Sequence, residues 1–213
     1  KGCLLPINCF SPSVFRERHG LAWVENLAAI RGKDIIDVGG FIGDSALILS
    51  PLTAGKVYSF ECESGNYQAL VKTIELNRLG NVVAEKLALS SRRGPLTLNV
   101  SGSCTSVRLP PTKVSHQETV DAITLDEYVA AHGLRVGLIK VDIEGFEQEF
   151  LKGAEQTIKS QKPLLLLSIY HNAGDFFDIK PLIEGWNLGY RFKVHKPADT
   201  TISREVLLIA EVR

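Results

Sequence analysis

KDIIDVGGFIGDSA, Lys33 to Ala46, is the stretch from which the fold can be read. Ile35, Ile36 and Val38 are β-branched and make a short apolar run, the pattern of a strand covered on both faces in a parallel sheet. Asp37 interrupts the run near its carboxyl end. Gly39, Gly40 and Gly43 then permit a sharp turn and a close approach of ligand to backbone, after which Asp44 starts a helix. Strand, acid, glycine turn and helix start, in that order, build a nucleoside-binding site.

Three details select the nucleoside. A dinucleotide fingerprint spaces its glycines GxGxxG so that pyrophosphate can approach the second one. Here Phe41 stands at that place, and its side chain obstructs pyrophosphate. Asp37 adds a negative charge that repels phosphate but suits the ammonium and sulfonium of S-adenosylmethionine. The second strand, KVYSFE, ends in Glu61, 18 residues beyond Gly43, where a carboxylate can accept from both ribose hydroxyls; Glu63 is the alternative for that role. The expected cofactor contacts are therefore Asp37, Gly39, Gly40, Phe41, Gly43, Asp44 and Glu61. Glycines alone would fit a structural turn; the two acids point to a ligand.

The 213 residues suit one domain, residues 1–213, able to bury roughly 70% of its unfolded surface. Basic and acidic residues balance at 24 each, with no long run of one sign, which argues against nucleic-acid binding. Cys3, Cys9, Cys62 and Cys104 make no CxxC pair and no metal-ligand spacing with histidine, so no metal site is read from them. They read as reduced thiols of a cytoplasmic protein, with a Cys3–Cys9 disulfide as the alternative. No apolar run reaches membrane-spanning length, and no signal peptide is evident. The chain contains no methionine, so local motifs carry more weight here than long separations.

Downstream, Ser64 is placed to cap a helix through Ile74 that ends near Gly80, and Asn81–Leu89 and Pro95–Val100 read as strands. Ser101–Glu118 reads as a polar loop, in which Ser103, Thr105 and Ser106 can hydrogen-bond an acceptor. Thr124 and Glu127 form a capping box for a helix that Gly133 closes. Arg135–Ile143 is a strand, Phe146–Ile158 an amphipathic helix and Pro163–Tyr170 an apolar strand. Tyr190–His195 and Val206–Val212 follow as an antiparallel hairpin. Strands alternating with helices imply an α/β fold with a parallel sheet.

DVGGFIGDSA, VYSFECESGNYQALVKTIELN, ITLDEYV, LIKVDIEGFEQEFLKGA and SIYHN, in this order, resemble the FkbM family of S-adenosylmethionine-dependent methyltransferases over roughly Asp34 to Val212. The resemblance implies a Rossmann-like class I methyltransferase fold: a seven-stranded, mostly parallel sheet with helices on both faces and a C-terminal antiparallel hairpin. It also implies O-methylation of a hydroxyl on a sugar, glycan precursor or secondary metabolite. Cys62 departs from a proline common after the ribose-binding acid, and SIYH from a more acidic strand ending. Residues 1–20 form an N-terminal extension outside the match.

Ligands of such sheets lie beyond the carboxyl ends of the strands. That rule selects His171 as general base, because its ordinary pKa of about 6.5 leaves it neutral near pH 7. Strand alternation would put Asp142 and Glu144 on one face, where they can hold Mg²⁺ to polarise a hydroxyl, or one can act as the base while the other orients substrate; Asp142 is also an expected cofactor contact. The competing structural reading has Glu144 capping the next helix and Lys140 neutralising Asp142. Tyr170 and Asn172 are further substrate contacts or packing residues. Trp23 and Trp186 read as packing, and Glu147, Glu149 and Lys152 as a solvated helix face. The expected partner is a saccharide or other small-molecule acceptor; N-methylation and a non-catalytic cofactor-binding module are the alternatives.

Overall fold

The computed structural model describes residues 2–101, 104–106, 116–196 and 205–212. In chain order the strands are β1 (Asp34–Val38), β2 (Val57–Phe60), β3 (Val82–Glu85), β4 (Ala88–Leu89), β5 (Gly94–Ser101), β6 (Cys104–Ser106), β7 (His116–Ile123), β8 (Val136–Val141), β9 (Leu164–Ser168), β10 (Arg191–His195) and β11 (Leu207–Glu211). The α-helices are α1 (Pro12–Phe15), α2 (Asp44–Leu49), α3 (Ser64–Asn77), α4 (Leu125–His132), α5 (Glu147–Gly153), α6 (Glu155–Gln161) and α7 (Ala173–Gly185). Tight 3₁₀ turns occupy Arg18–Trp23 and Leu27–Ile30.

A seven-stranded sheet runs in the order β10-β11-β9-β8-β1-β2-β3. β11 is antiparallel to both its neighbours, and the remaining pairs are parallel. Its central strands are apolar on both faces because both faces are covered. Ile36, Val38, Ile139, Val141, Leu165 and Leu167 join one core with residues of α4 to α7. Their neighbours Ile35, Leu138, Leu164 and Leu166 join a second core with Leu21, Ile30 and Leu49. The chain leaves β1 toward β2 on one side and adds β8 on the other, so the order switches between β1 and β8. That switch is where an open α/β sheet leaves a ligand crevice.

Several local expectations need correction. Ser101–Glu118 is not one loop: β6 lies within it and β7 begins at His116, while Ser103 lies outside the described residues. β4 to β7 make a second, four-stranded sheet in the order β4-β7-β5-β6, which the sequence reading missed. The cap of α3 is Glu63, not Ser64; its carboxylate accepts from Gly65 N at 3.0 Å and Asn66 N at 2.6 Å. That helix stops at Arg78, in a left-handed conformation, before Gly80 is reached. Phe146–Ile158 is split into α5 and α6, and α7 was not assigned. Cys3, Cys9 and Cys62 are free thiols, so no Cys3–Cys9 disulfide is formed. Among the described residues no helix is long and apolar enough to cross a membrane.

The Thr124–Glu127 capping box forms as read, with Glu127 N donating to Thr124 Oγ1 at 3.0 Å and Gly133 closing α4 in the left-handed region. Thr124→Ala is expected to lower stability by about 1 kcal/mol, which chemical denaturation with an unchanged m-value would register.

Candidate active site

A cavity of about 340 Å³ opens beyond the carboxyl ends of β1, β2 and β8. Of the residues read from the sequence, Gly39, Phe41, Asp44, Glu61, Asp142 and Glu144 are in its wall, whereas Asp37, Gly40, Gly43 and His171 are not. Leu87, Ala88, Leu89, Leu96 and Leu98 supply an apolar side from the second sheet and its approach. Val14 and His19 close the cavity from the N-terminal segment, so residues 1–20 are not a simple appendage.

The glycine turn is set by crowding. Gly39 has φ 82°, and a Cβ there would stand 2.0 Å from the carbonyl oxygen of Asp142. At Gly40 a Cβ would meet Ser59 Oγ at 2.2 Å. Phe41 also has positive φ, 45°, and its amide donates to Glu61 Oε2 at 2.9 Å. Glu63 N donates to Glu61 Oε1 at 2.9 Å. Each carboxylate oxygen keeps a lone pair for one hydroxyl of a vicinal diol. Burial pushes the Glu61 carboxyl up to about 7, against the pull of those two amides. Glu63, the alternative, is occupied as the cap of α3.

Asp37 lies beneath the turn and does not reach the cavity. Ser45 Oγ and Ser59 Oγ both donate to its Oδ2 at 2.7 Å, and Lys140 Nζ sits 3.2 Å from Oδ1. The pairing follows from register, since Asp37 and Lys140 are neighbours on β1 and β8. Lys140 also donates to the Gly39 carbonyl at 2.7 Å, tying the buried pair to the turn. Burial works against its charge, but Asp37, Asp142 and Asp44 outweigh it and raise its pKa. Lys140 therefore pairs directly with Asp37 and not, as the competing reading had it, with Asp142. Negative charge facing the cavity comes instead from Asp44, Glu61, Asp142 and Glu144, with burial pushing Asp44 up to about 6.

His171 does not fit the role of base. Its Nδ1 is 2.8 Å from Glu147 Oε1, and its Nε2 is 3.4 Å from Asp142 Oδ1 and 3.8 Å from Glu144 Oε2. Burial disfavours the cation, but the Glu147 hydrogen bond and the charges of Asp142, Glu147 and Glu144 prevail and raise its pKa to about 9. At neutral pH it is an imidazolium with no lone pair to offer. Glu147, read as a solvated acid, is fully buried. Asp142 and Glu144 converge through a turn, since β8 ends at Val141 and Glu144 adopts φ 54°. Glu144 does not cap α5, whose N-cap is Phe146; Glu147 Oε1 accepts from Ile143 N at 3.0 Å. Asn172 caps α7, accepting from Asp175 N at 2.9 Å. Tyr170 packs against the His171 ring, Trp186 against the main core, and exposed Trp23 against His195.

The sequence reading missed His19. It has φ 51°, lines the cavity, and carries a buried Nε2 without a hydrogen-bond partner among the described residues. Burial and the nearby Lys140 hold its pKa down at about 4, although Asp142 and Asp37 pull it upward. It is the neutral imidazole of this wall.

A family model, the methyltransferase FkbM domain, matches residues 37–192. The chain belongs to the FkbM methyltransferase family. It is similar to the hexuronic acid methyltransferase AglP of Haloferax volcanii, at 28% identity over 172 residues, 79% of this chain and 69% of that protein. It is also similar to Methyltransferase 1 of Beauveria bassiana, at 23% identity over 186 residues, 76% of this chain and 74% of that one. The FkbM methyltransferase structure from Methylobacillus flagellatus superposes with a TM-score of 0.65 at 21% identity, over 84% of this chain and 43% of that one. This chain thus spans under half of that larger FkbM protein. The family makes the chain an S-adenosylmethionine-dependent methyltransferase. His19 precedes the matched residues, so the FkbM pattern carried no signal for it.

Proposed function

We propose that the chain moves the methyl group of S-adenosylmethionine to a hydroxyl of a saccharide or similar small polyol. The observation that carries the cofactor assignment is Glu61, whose buried carboxylate faces the cavity with one lone pair free on each oxygen. The ribose diol would take those two positions, the adenine the apolar side at Leu96 and Leu98, and the ammonium the acids Asp44 and Asp142. The acceptor would enter beside Asp142 and Glu144. A sugar acceptor draws support from the hexuronic acid methyltransferase to which the chain is similar.

Transfer is a displacement at carbon: the acceptor oxygen bonds to the methyl, the carbon–sulfur bond breaks, and the hydroxyl proton must leave. Holding oxygen, methyl and sulfur in line can supply about 7 to 11 kcal/mol in favourable cases. We assign the proton to His19 Nε2.

Calorimetry with S-adenosylhomocysteine tests the cofactor site. Binding to the wild type is expected, and Glu61→Gln should weaken it about 10- to 100-fold, the worth of one or two hydrogen bonds to a charged acceptor. Hydroxyl donors favour the ionised carboxyl, so binding should release a proton and tighten as pH rises toward 7, where the empty site titrates. The Gln variant should lose that slope. No binding to the wild type would refute the reading, and binding without transfer to any hydroxyl acceptor would leave a cofactor-binding module.

A further inference from the structure

We propose that His171, Asp142 and Glu144 form a site for a first-row divalent cation of the Mn²⁺ or Zn²⁺ kind at the acceptor end of the cavity. Three observations carry it. The first is an orphaned nitrogen. The His171 side chain is only 6% exposed, and its Nε2 is buried with no hydrogen-bond partner among the described residues, yet two carboxylates stand within 4 Å of it. A buried polar atom in that condition calls for a ligand.

The second is spacing. Asp142 Oδ1 at 3.4 Å and Glu144 Oε2 at 3.8 Å are too far from Nε2 for good hydrogen bonds. Asp142 Oδ1 is at the distance that two ligands of one ion keep. Two ligands each about 2.1 Å from a metal lie about 3.0 Å apart at a right angle and about 3.4 Å apart at the tetrahedral angle. Glu144 Oε2, at 3.8 Å on a side chain 44% exposed, stands farther out and would join the ion by moving toward Nε2.

The third is the group behind the imidazole. Ligand atoms of Asp142, Glu147 and His171 fall within 4.8 Å of one another. Glu147, however, is on the opposite nitrogen, with Oε1 2.8 Å from Nδ1. It orients the ring and does not share an ion with Nε2. A carboxylate on the far nitrogen of a ligating histidine is a recurrent support of metal sites; here the ion would displace the Nε2 proton of the imidazolium to solvent while Glu147 holds the Nδ1–H. Glu147 is itself held by the Ile143 amide, so the support is rigid.

One imidazole and two carboxylates suit Mn²⁺ or Zn²⁺, whereas Mg²⁺ prefers oxygen throughout. Asp142 and Glu144 line the cavity, which would place the ion where it can bind the acceptor oxygen and ease loss of its proton. The assignment of that end of the cavity rests on the proposed function, but the site itself can be tested without turnover.

The experiment is titration of the purified full chain with Mn²⁺, followed by loss of the free-ion paramagnetic resonance signal, with Zn²⁺ competition, in the absence of cofactor and acceptor. One tight Mn²⁺ per chain is expected, displaced by Zn²⁺. Asp142→Asn and His171→Ala should abolish it, and Glu147→Gln, a positioning change, should weaken it about 10- to 100-fold. Glu144→Gln, on an exposed turn, serves as the variant safest for folding, with circular dichroism on each protein. Failure of the wild type to bind Mn²⁺ or Zn²⁺ at millimolar concentration would overturn the proposal, as would binding that survives both Asp142→Asn and Glu144→Gln. Because no methyl transfer is read, a failed metal site and a failed methyltransferase reading give different results.

Discussion

Lys140→Met is expected to cost about 3 to 5 kcal/mol of stability, a larger loss than for any other single side chain considered above. The reason is what it leaves behind. Asp37 is fully buried, its Oδ2 is supplied by Ser45 and Ser59, and its Oδ1 faces the Lys140 ammonium. Removing the cation strands a carboxylate in the middle of the sheet. The Gly39 carbonyl loses its donor at the same time, so the glycine turn should loosen with the core. Guanidinium unfolding of the wild type, Lys140→Met, Asp37→Leu and the double variant would measure the coupling. The double variant should recover much of the loss, because two apolar groups do not carry the desolvation cost of one unpaired charge. A double variant whose loss is the sum of the two single losses would show that the pair is not what fixes the turn.

The same pair shows what could and could not be read from residue order. Apolar runs, glycine spacing and the capping box are local, and they gave the strands of the main sheet, the glycine turn and α4 because each is decided by a few neighbouring residues. The placing of Asp37 in the ligand wall failed because its partner is 103 positions away and is brought beside it only by the β1–β8 register. Glu147 failed for a related reason. Among the acids of a short helix, nothing local distinguishes one that turns inward to a histidine 24 residues on. The second sheet escaped because β7, which pairs with both β4 and β5, opens on the polar run His116 to Thr119, and its core among the described residues is small, with Ala88, Leu98, Val120 and Ala122 buried in it. VDIEGFE does hold a usable signal: three acids within seven residues after an apolar strand are more than a solvated face requires.

His19→Ala is expected to lower kcat by about 100-fold while leaving S-adenosylhomocysteine affinity within a few-fold of wild type. The figure is the lower end of what a positioned base contributes, because a group with a pKa of about 4 is a weak one. The pH profile separates it from His171. A base must be unprotonated, so activity rises with pH through its pKa and then levels. The charges that act on His19 are those of Lys140, Asp142 and Asp37, with Glu17, Glu205 and His195 around the adjoining small cavity. Burial and Lys140 win, and with His19 as base the catalytic rate should be level from about pH 5.5 to 8. Were His171 the base in the metal-free protein, with its pKa near 9, the rate would climb about tenfold per unit across that range. His19→Gln keeps shape and a polar atom but cannot take a proton, so it should be as slow as the alanine variant. A glutamine variant with wild-type rate would reduce His19 to a positioning residue and return the proton to Asp142.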